Sequence, residues 1–187
     1  DYDDVIVVHI SYNATGEKEI FFNMGYRDID EDGLGNWEET NVYSTLTRNA
    51  DSDNDGINDG GEVLVYGTDP LSADSDNDHL SDKFEIEIVS AEKNYYQTDP
   101  LNKDTDGDKL DDFAEIYGRF YNGSKNWGYS TNPLVQDTDN DQLDDYYEII
   151  VGIKYWVNET SNEFIIYTNA TKVDSDDDGL RDFEENE

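Results

Sequence analysis

The chain has 187 residues and a formal charge of −35, from 47 acidic side chains against 12 basic ones, and it contains no cysteine. That balance excludes nucleic acid as a natural partner, since phosphate binding needs clustered Lys and Arg, and it opposes docking on an anionic membrane without a bridging cation. Disulfides and thiolate metal sites are ruled out, and His9 and His79 alone are too few for a zinc or transition-metal cluster.

Hard oxygen ligands remain, and those suit Ca²⁺ or Mg²⁺. Acidity of this degree accompanies disorder when apolar residues are scarce. Here, however, 13% of the residues are aromatic, including 14 Tyr and 3 Trp. A chain that folds under this charge needs counter-ions. No apolar run reaches the roughly 18 residues of a membrane-spanning helix. The chain opens at Asp1 with neither Met nor a signal-like segment and reads as a mature protein or an excised fragment.

In chain order, residues 5–12 (VIVVHISY) and 19–23 (EIFFN) read as two strands joined through Asn13 to Lys18. His9, inside the first of them, reads as structural. An isolated hairpin is marginal in water, so this N-terminal segment, residues 1–27, needs a surface to dock on. Packing within the chain is favoured over edge pairing with a neighbour.

From Asp28 one repeat dominates, and residues 28–187 read as a single array. Its twelve-residue loops are DIDEDGLGNWEE (28–39), DSDNDGINDGGE (51–62), DSDNDHLSDKFE (74–85), DTDGDKLDDFAE (104–115), DTDNDQLDDYYE (137–148) and DSDDDGLRDFEE (174–185). Their starts lie 23, 23, 30, 33 and 37 residues apart, a basic unit of 23 with insertions. In an EF-hand loop, carboxylates at positions 1, 3 and 5, the carbonyl at 7 and a bidentate Glu at 12 surround Ca²⁺, and position 9 often acts through water.

That pattern assigns the ligands. Position 1 is Asp28, Asp51, Asp74, Asp104, Asp137 and Asp174, and position 3 is Asp30, Asp53, Asp76, Asp106, Asp139 and Asp176. Position 5 is Asp32, Asp55, Asp78, Asp108, Asp141 and Asp178. Leu34, Ile57, Leu80, Leu110, Leu143 and Leu180 stand at position 7, each offering a carbonyl to the ion and a side chain to a small core. Asn36, Asp59, Asp82, Asp112, Asp145 and Asp182 stand at position 9, and Glu39, Glu62, Glu85, Glu115, Glu148 and Glu185 at position 12. Acids that merely solvate a surface would explain the charge but not this placement. About six Ca²⁺ ions are expected, and their binding should be part of folding, because five clustered carboxylates repel one another by several kcal/mol.

Position 6 ordinarily needs Gly for its positive φ, and His79, Lys109 and Gln142 stand there instead, at about 1 kcal/mol each. No amphipathic helix leads into the loops. A short helix is expected after position 9, capped near Gly67, Gly118 and Gly152. Asp69, Asp99 and Asn132 precede Pro and should be extended or in a turn. With Asn169 they stand five residues ahead of a loop, either as extra ligands or, the plainer account, as Asx-turns. The insertion after Gly152 is a second hairpin candidate, with strands around Ile153–Val157 and Phe164–Thr168. The insertions holding Tyr95–Tyr96 and Phe120–Trp127 are aromatic loops, read as packing rather than as a sugar platform. Asn13, Asn122, Asn158 and Asn169 open Asn-x-Ser/Thr sequons and are candidate glycosylation sites.

The loop pattern DxDxDGLxDxxE, with the preceding linker Thr68-Asp69-Pro70-Leu71, Thr98-Asp99-Pro100-Leu101 and Thr131-Asn132-Pro133-Leu134, resembles the thrombospondin type 3-like calcium repeats of bacterial and archaeal surface proteins. A degenerate copy, Thr168-Asn169-Ala170, precedes the last loop. The resemblance covers residues 28–187 apart from the insertions. It implies calcium-stiffened extracellular stalks or spacers, and in thrombospondins a repeat can hold more than one ion. The fold class expected is therefore a small α+β or irregular one: six calcium loops in tandem with short helices, plus β-hairpins at the N-terminus and in an insertion. The function expected is a secreted or cell-surface structural protein (a stalk, surface-layer or filament subunit) that associates with itself or with other surface proteins. A dockerin-like, calcium-dependent protein-binding module is the alternative. No Ser-His-Asp set, HExxH or P-loop is present, so no enzyme is expected.

Overall fold

β-branched and aromatic residues open the chain, and they form the first hairpin because such side chains suit a pleated ladder. Strand β1 (Ile6–Tyr12) pairs antiparallel with β2 (Lys18–Met24), with Ile6 opposite Met24, Val8 opposite Phe22 and Ile10 opposite Ile20. Both expected strands are present, their ends shifted by one residue. The computed structural model describes residues 6–12, 18–24, 27–87, 96–121, 123–157 and 162–184. The chain divides into two compact units, Asp1–Ala73 and Asp74–Glu187.

In the first unit, helix α1 (Asn36–Glu38) widens into a π-helical turn over Glu39–Tyr43, and α2 (Asp59–Gly61) does the same over Glu62–Tyr66. Each ends where a residue enters the left-handed region, Ser44 at φ 65° and Gly67 at φ 80°. The second unit holds α3 (Asp82–Ile86), α4 (Asp112–Tyr117) and a π-helical turn at Tyr147–Val151. Gly118, at φ 64°, closes α4, and Gly152, at φ 71°, closes that turn. The three glycine stops expected from the sequence are all in place.

Helices begin where the residue at loop position 8 caps them. Asn58 accepts from Gly61 N–H, Ser81 from Phe84 N–H and Asp111 from Ala114 N–H, as good N-caps do. Such short helices survive on tertiary contacts rather than on propensity.

A second hairpin joins β3 (Ile153–Val157) to β4 (Asn162–Ile166), with Ile153 opposite Ile166. Its second strand stops at Ile166 instead of running to Thr168. Thr168 is buried, and Asn169 already begins the turn that leads into the last loop.

Two apolar clusters occupy the second unit. One gathers Leu80, Phe113 and Ile116 with Phe84 and Tyr96, the other Leu110, Ile149 and Ala170 with Phe120, Trp127, Tyr129 and Tyr146. The aromatic insertion 120–127 folds back on itself through a Phe120 N–H bond to the Lys125 carbonyl, and its Trp127 ring meets Phe120 edge-on at 5.6 Å. Lys125 donates to the Ile149 carbonyl within the π-helical turn and lies over the Tyr167 ring. The position-7 side chains Leu34, Leu80, Leu110 and Leu143 are buried as expected, at 2%, 3%, 0% and 7% exposure, whereas Ile57 is only half-buried and Leu180 is 50% exposed. Among those residues no helix is long and apolar enough to cross a membrane.

Candidate metal centres

Each loop is wound around its first Asp. One oxygen of Asp28 accepts from the N–H of Glu31 at 2.7 Å and the other from Gly33 at 3.0 Å. Asp51, Asp74, Asp104 and Asp137 hold positions 4 and 6 of their own loops in the same way. The winding needs left-handed backbone at both positions. At position 6 the expected strain is present, with φ 86° at His79 and 92° at Lys109 and Gln142. Position 4 escaped the sequence reading, although Asn54, Asn77, Gly107, Asn140 and Asp177, all types that tolerate this region, stand there.

Inside the winding the carboxylates converge. Asp28, Asp30 and Asp32 bring ligand oxygens within 4.8 Å of one another, and the same holds for Asp51, Asp53 and Asp55, for Asp74, Asp76 and Asp78, and for Asp104, Asp106 and Asp108. Glu39, Glu62, Glu85, Glu115 and Glu148 at position 12 are 0% exposed. Both oxygens of Glu39 and Glu148, and one each of Glu62, Glu85 and Glu115, have no hydrogen-bond partner among the described residues. Asp76, Asp106 and Asp139 at position 3 each bury one such orphaned oxygen, and Asp30 buries two.

Leaving ionised oxygens buried and unpaired costs several kcal/mol apiece. Burial, reinforced by the neighbouring Asp charges, pushes Glu39 up to about 7, Glu62 to about 8, Glu85 and Glu148 to about 9, and Glu115 to about 10. The same two causes, burial first, raise Asp76 and Asp139 to about 6. A cation at the centre of each cluster removes the penalty. All-oxygen donor sets with this many carboxylates fit Ca²⁺, which takes six to eight oxygens, better than Mg²⁺, which keeps its waters and uses one or two carboxylates.

A threonine hydroxyl orients the position-12 Glu. Thr68 donates to Glu62 at 3.2 Å, Thr98 to Glu85 at 3.0 Å and Thr131 to Glu115 at 3.1 Å. These are the threonines of the Thr-Asp/Asn-Pro-Leu linker, so the linker holds a ligand and does not merely space the loops. Its Asx residue makes a turn: Asp69, Asp99, Asn132 and Asn169 each accept the N–H two residues on.

Position 9 is placed differently from a water-bridged ligand of its own loop. Both oxygens of Asp112 are taken by Thr105, from the N–H at 2.9 Å and the hydroxyl at 2.7 Å. Asp59, Asp82, Asp145 and Asp182 clasp Ser52, Ser75, Thr138 and Ser175 likewise. The hydroxyls of Ser52, Thr105, Thr138 and Ser175 accept in turn from a linker N–H, at Leu46, Asp99, Asn132 and Asn169. Loop one departs at both places together. Ile29 has no hydroxyl to give, and Asn36 has one acceptor oxygen, which takes the Ile29 N–H at 3.1 Å.

The same Asp112 also faces the previous repeat. Asp78, Glu85 and Asp112, all buried, bring ligand oxygens within 4.8 Å of one another, so a second kind of acidic group spans loops three and four. Of the expected ligands only Glu185 lies outside the described residues, as do the sequon residues Asn13, Asn122 and Asn158.

A family model described as bacterial TSP3 repeat matches residues 51–73, the second loop with its helix and linker. Among solved structures, a chain titled "Biofilm associated protein - B domain" is 36% identical over 29% of this chain and 12% of its own, with a TM-score of 0.24. Another, "Biofilm associated protein - BSP domain", is 26% identical over 33% of this chain and 16% of its own, with a TM-score of 0.25. The chain thus spans less than a fifth of either, and superpositions this loose define no shared fold. No curated protein matches the sequence.

Proposed function

We propose that this chain, which carries thrombospondin type 3-like calcium-binding repeats, is a calcium-stiffened structural element of an extracellular or cell-surface assembly, a stalk, surface-layer piece or filament subunit. The observation that carries the reading is the set of five wholly buried glutamates with orphaned oxygens. Each closes one acidic loop, and a cation there reconciles their burial with the ionised form. One ion per loop gives about six, and the buried set Asp78, Glu85 and Asp112 offers oxygens for one more.

Extracellular modules bind calcium with dissociation constants of about 10⁻⁴–10⁻³ M. At ten times the dissociation constant each site adds about 1.4 kcal/mol, so six sites add about 8 kcal/mol. That equals the whole stability of an ordinary domain. The ions thereby do the work of the disulfides and large core that this chain lacks. Helical segments of five to eight residues, π-helical turns included, are shorter than the paired helices a dockerin offers its partner, which favours the structural reading. Catalysis has no part in it.

The test is metal content and melting. Protein dialysed against calcium should retain about six ions by elemental analysis, and EDTA should abolish the cooperative thermal transition. An unchanged transition in EDTA would sink the proposal.

A further inference from the structure

Four linkers enter their calcium loops by the same turn, and the last of them differs from the rest at two residues. Asp69, Asp99, Asn132 and Asn169 each accept the N–H two residues on. In the first three, Pro and Leu follow, and the leucines are 50%, 53% and 43% exposed at Leu71, Leu101 and Leu134. In the fourth, Ala170 and Thr171 stand in their places.

The two changes have different causes. Ala170 is wholly buried, and its N–H donates to the Tyr129 hydroxyl at 3.3 Å, a bond that proline has no hydrogen to make. Thr171 is exposed and belongs to neither apolar cluster. Its hydroxyl donates to Oδ1 of Asn169 at 2.9 Å. The turn does not require that bond, since the other three linkers form it with leucine in the same place.

Together the changes write Asn169-Ala170-Thr171, an Asn-x-Thr sequon that proline in the middle would have silenced. The turn also fixes the orientation of the amide. The Thr171 N–H, at 3.2 Å, can meet only an oxygen, and the Thr171 hydroxyl meets the same atom, so Oδ1 faces the turn. Nδ2 is thereby directed away from those donors, and it meets no acceptor among the described residues. Asn169 is partly exposed and Thr171 fully so.

We infer that Asn169 carries an N-linked glycan. The inference rests on the extracellular placement proposed above, because sequons are modified in secreted and surface chains. The co-substrate is a sugar joined through C1 to a lipid phosphate. In the transfer Nδ2 bonds to that C1 as the C1–O bond breaks, the amide gives up one proton, and the lipid phosphate leaves with the bonding pair. Only one hydrogen of Nδ2 is replaced and Oδ1 keeps both of its bonds, so turn and glycan coexist. The glycan stands five residues ahead of Asp174 and takes no ligand from loop six. Asn132 is the internal control. It makes the same turn, and Thr138 holds its N–H as Ser175 holds that of Asn169, but Pro133 and Leu134 follow it.

Peptide mapping of the full chain purified from its natural host tests the inference. Trypsin, cutting after Lys154 and Lys172, releases residues 155–172, and electron-transfer fragmentation separates Asn158 from Asn169 within them. Asn169 should carry a sugar mass in most copies and Asn132 none. Thr171→Val, expressed in the same host, should leave Asn169 bare, and Thr171→Ser should restore the sugar. Both variants keep the N–H bond of the turn, so their calcium uptake in calorimetry should match that of the wild type. A bare Asn169 in a wild-type chain that binds its calcium overturns the inference and leaves the structural calcium role standing. Sugar on Thr171 instead of Asn169, or sugar on Asn169 that survives Thr171→Val, overturns it as well. A bare wild-type chain that takes up no calcium overturns both.

Discussion

The backbone N–H of Phe113 donates to a side-chain oxygen of Asp78 across 3.2 Å, although 35 residues separate them. The bond joins a helix start in one calcium loop to a ligand position of the loop before, and the Phe113 ring packs with Leu80 beside it. Successive repeats therefore share their stability, as in other arrays whose units cannot bury an apolar face alone. Phe113→Ala should cost about 3–5 kcal/mol in calcium, the loss typical of a buried aromatic. Denaturant unfolding with and without Ca²⁺ checks this, and a loss under 1 kcal/mol would show that the junction is not cooperative.

Glu115 is pushed highest of the described position-12 acids, and it separates two roles. Glu115→Gln removes a direct ligand, so calcium affinity at loop four should drop at least about tenfold, the minimum seen when even outer partners of a metal are lost. Without calcium at neutral pH the same substitution should be almost silent. Burial and the Asp106 and Asp108 charges hold Glu115 up at about 10, so it is already neutral there. Paired melts in calcium and in EDTA give the contrast, and equal losses in both would refute it.

Protons compete with the ions. The raised groups, from Glu39 at about 7 to Glu115 at about 10, bind protons in the ion-free fold that the unfolded chain, at an ordinary 4.5, has already released. Their contribution to the ion-free fold is full below about pH 4.5 and is lost as pH rises through about 7–10. The ion-free chain should thus weaken from mild acid to alkaline pH. Calcium binding runs the other way, because it must expel those protons, and affinity should rise with pH across the neutral range. Calorimetric titration at pH 7 in two buffers of different ionisation heat should reveal proton release. Identical heats would contradict it.

In the first unit the close approach is made by backbone. A Cβ added to Gly60 would stand 2.1 Å from the Asp32 carbonyl oxygen. Gly60→Ala should force loops one and two apart and cost about 1–3 kcal/mol or more. A hydrogen-exchange comparison should show the loss around Leu34 and Asp32, with residues 96–184 unaffected. Wild-type protection at Leu34 would refute the contact.

The position-2 hydroxyl is the least expected of the supports. Thr105→Val takes one donor from buried Asp112 and the acceptor from the Asp99 N–H, and about 1–3 kcal/mol should be lost. Thermal unfolding in calcium measures it, and a neutral effect would mean that the clasp is dispensable.

What was legible from residues alone follows from what is local. A calcium loop is twelve consecutive residues, so spacing names its ligands, and glycine stops, Asx-turns and strand alternation are likewise short-range. The caps at position 8 and the left-handed residues at position 4 went unread, although the Asn, Ser, Asp and Gly that recur there carry the signal. By itself the sequence determined that this is a tandem array of acidic loops with the calcium-binding pattern and no cysteine to cross-link them. The tertiary structure alone decided what each acid does besides. Asp112 turns to Asp78 and Glu85 of the previous loop, Thr131 steers Glu115, and Phe113 reaches back to Asp78. Those pairings reach across insertions of unequal length, so no fixed spacing announces them. They form because a buried charge must find a partner in space, wherever the chain has put one.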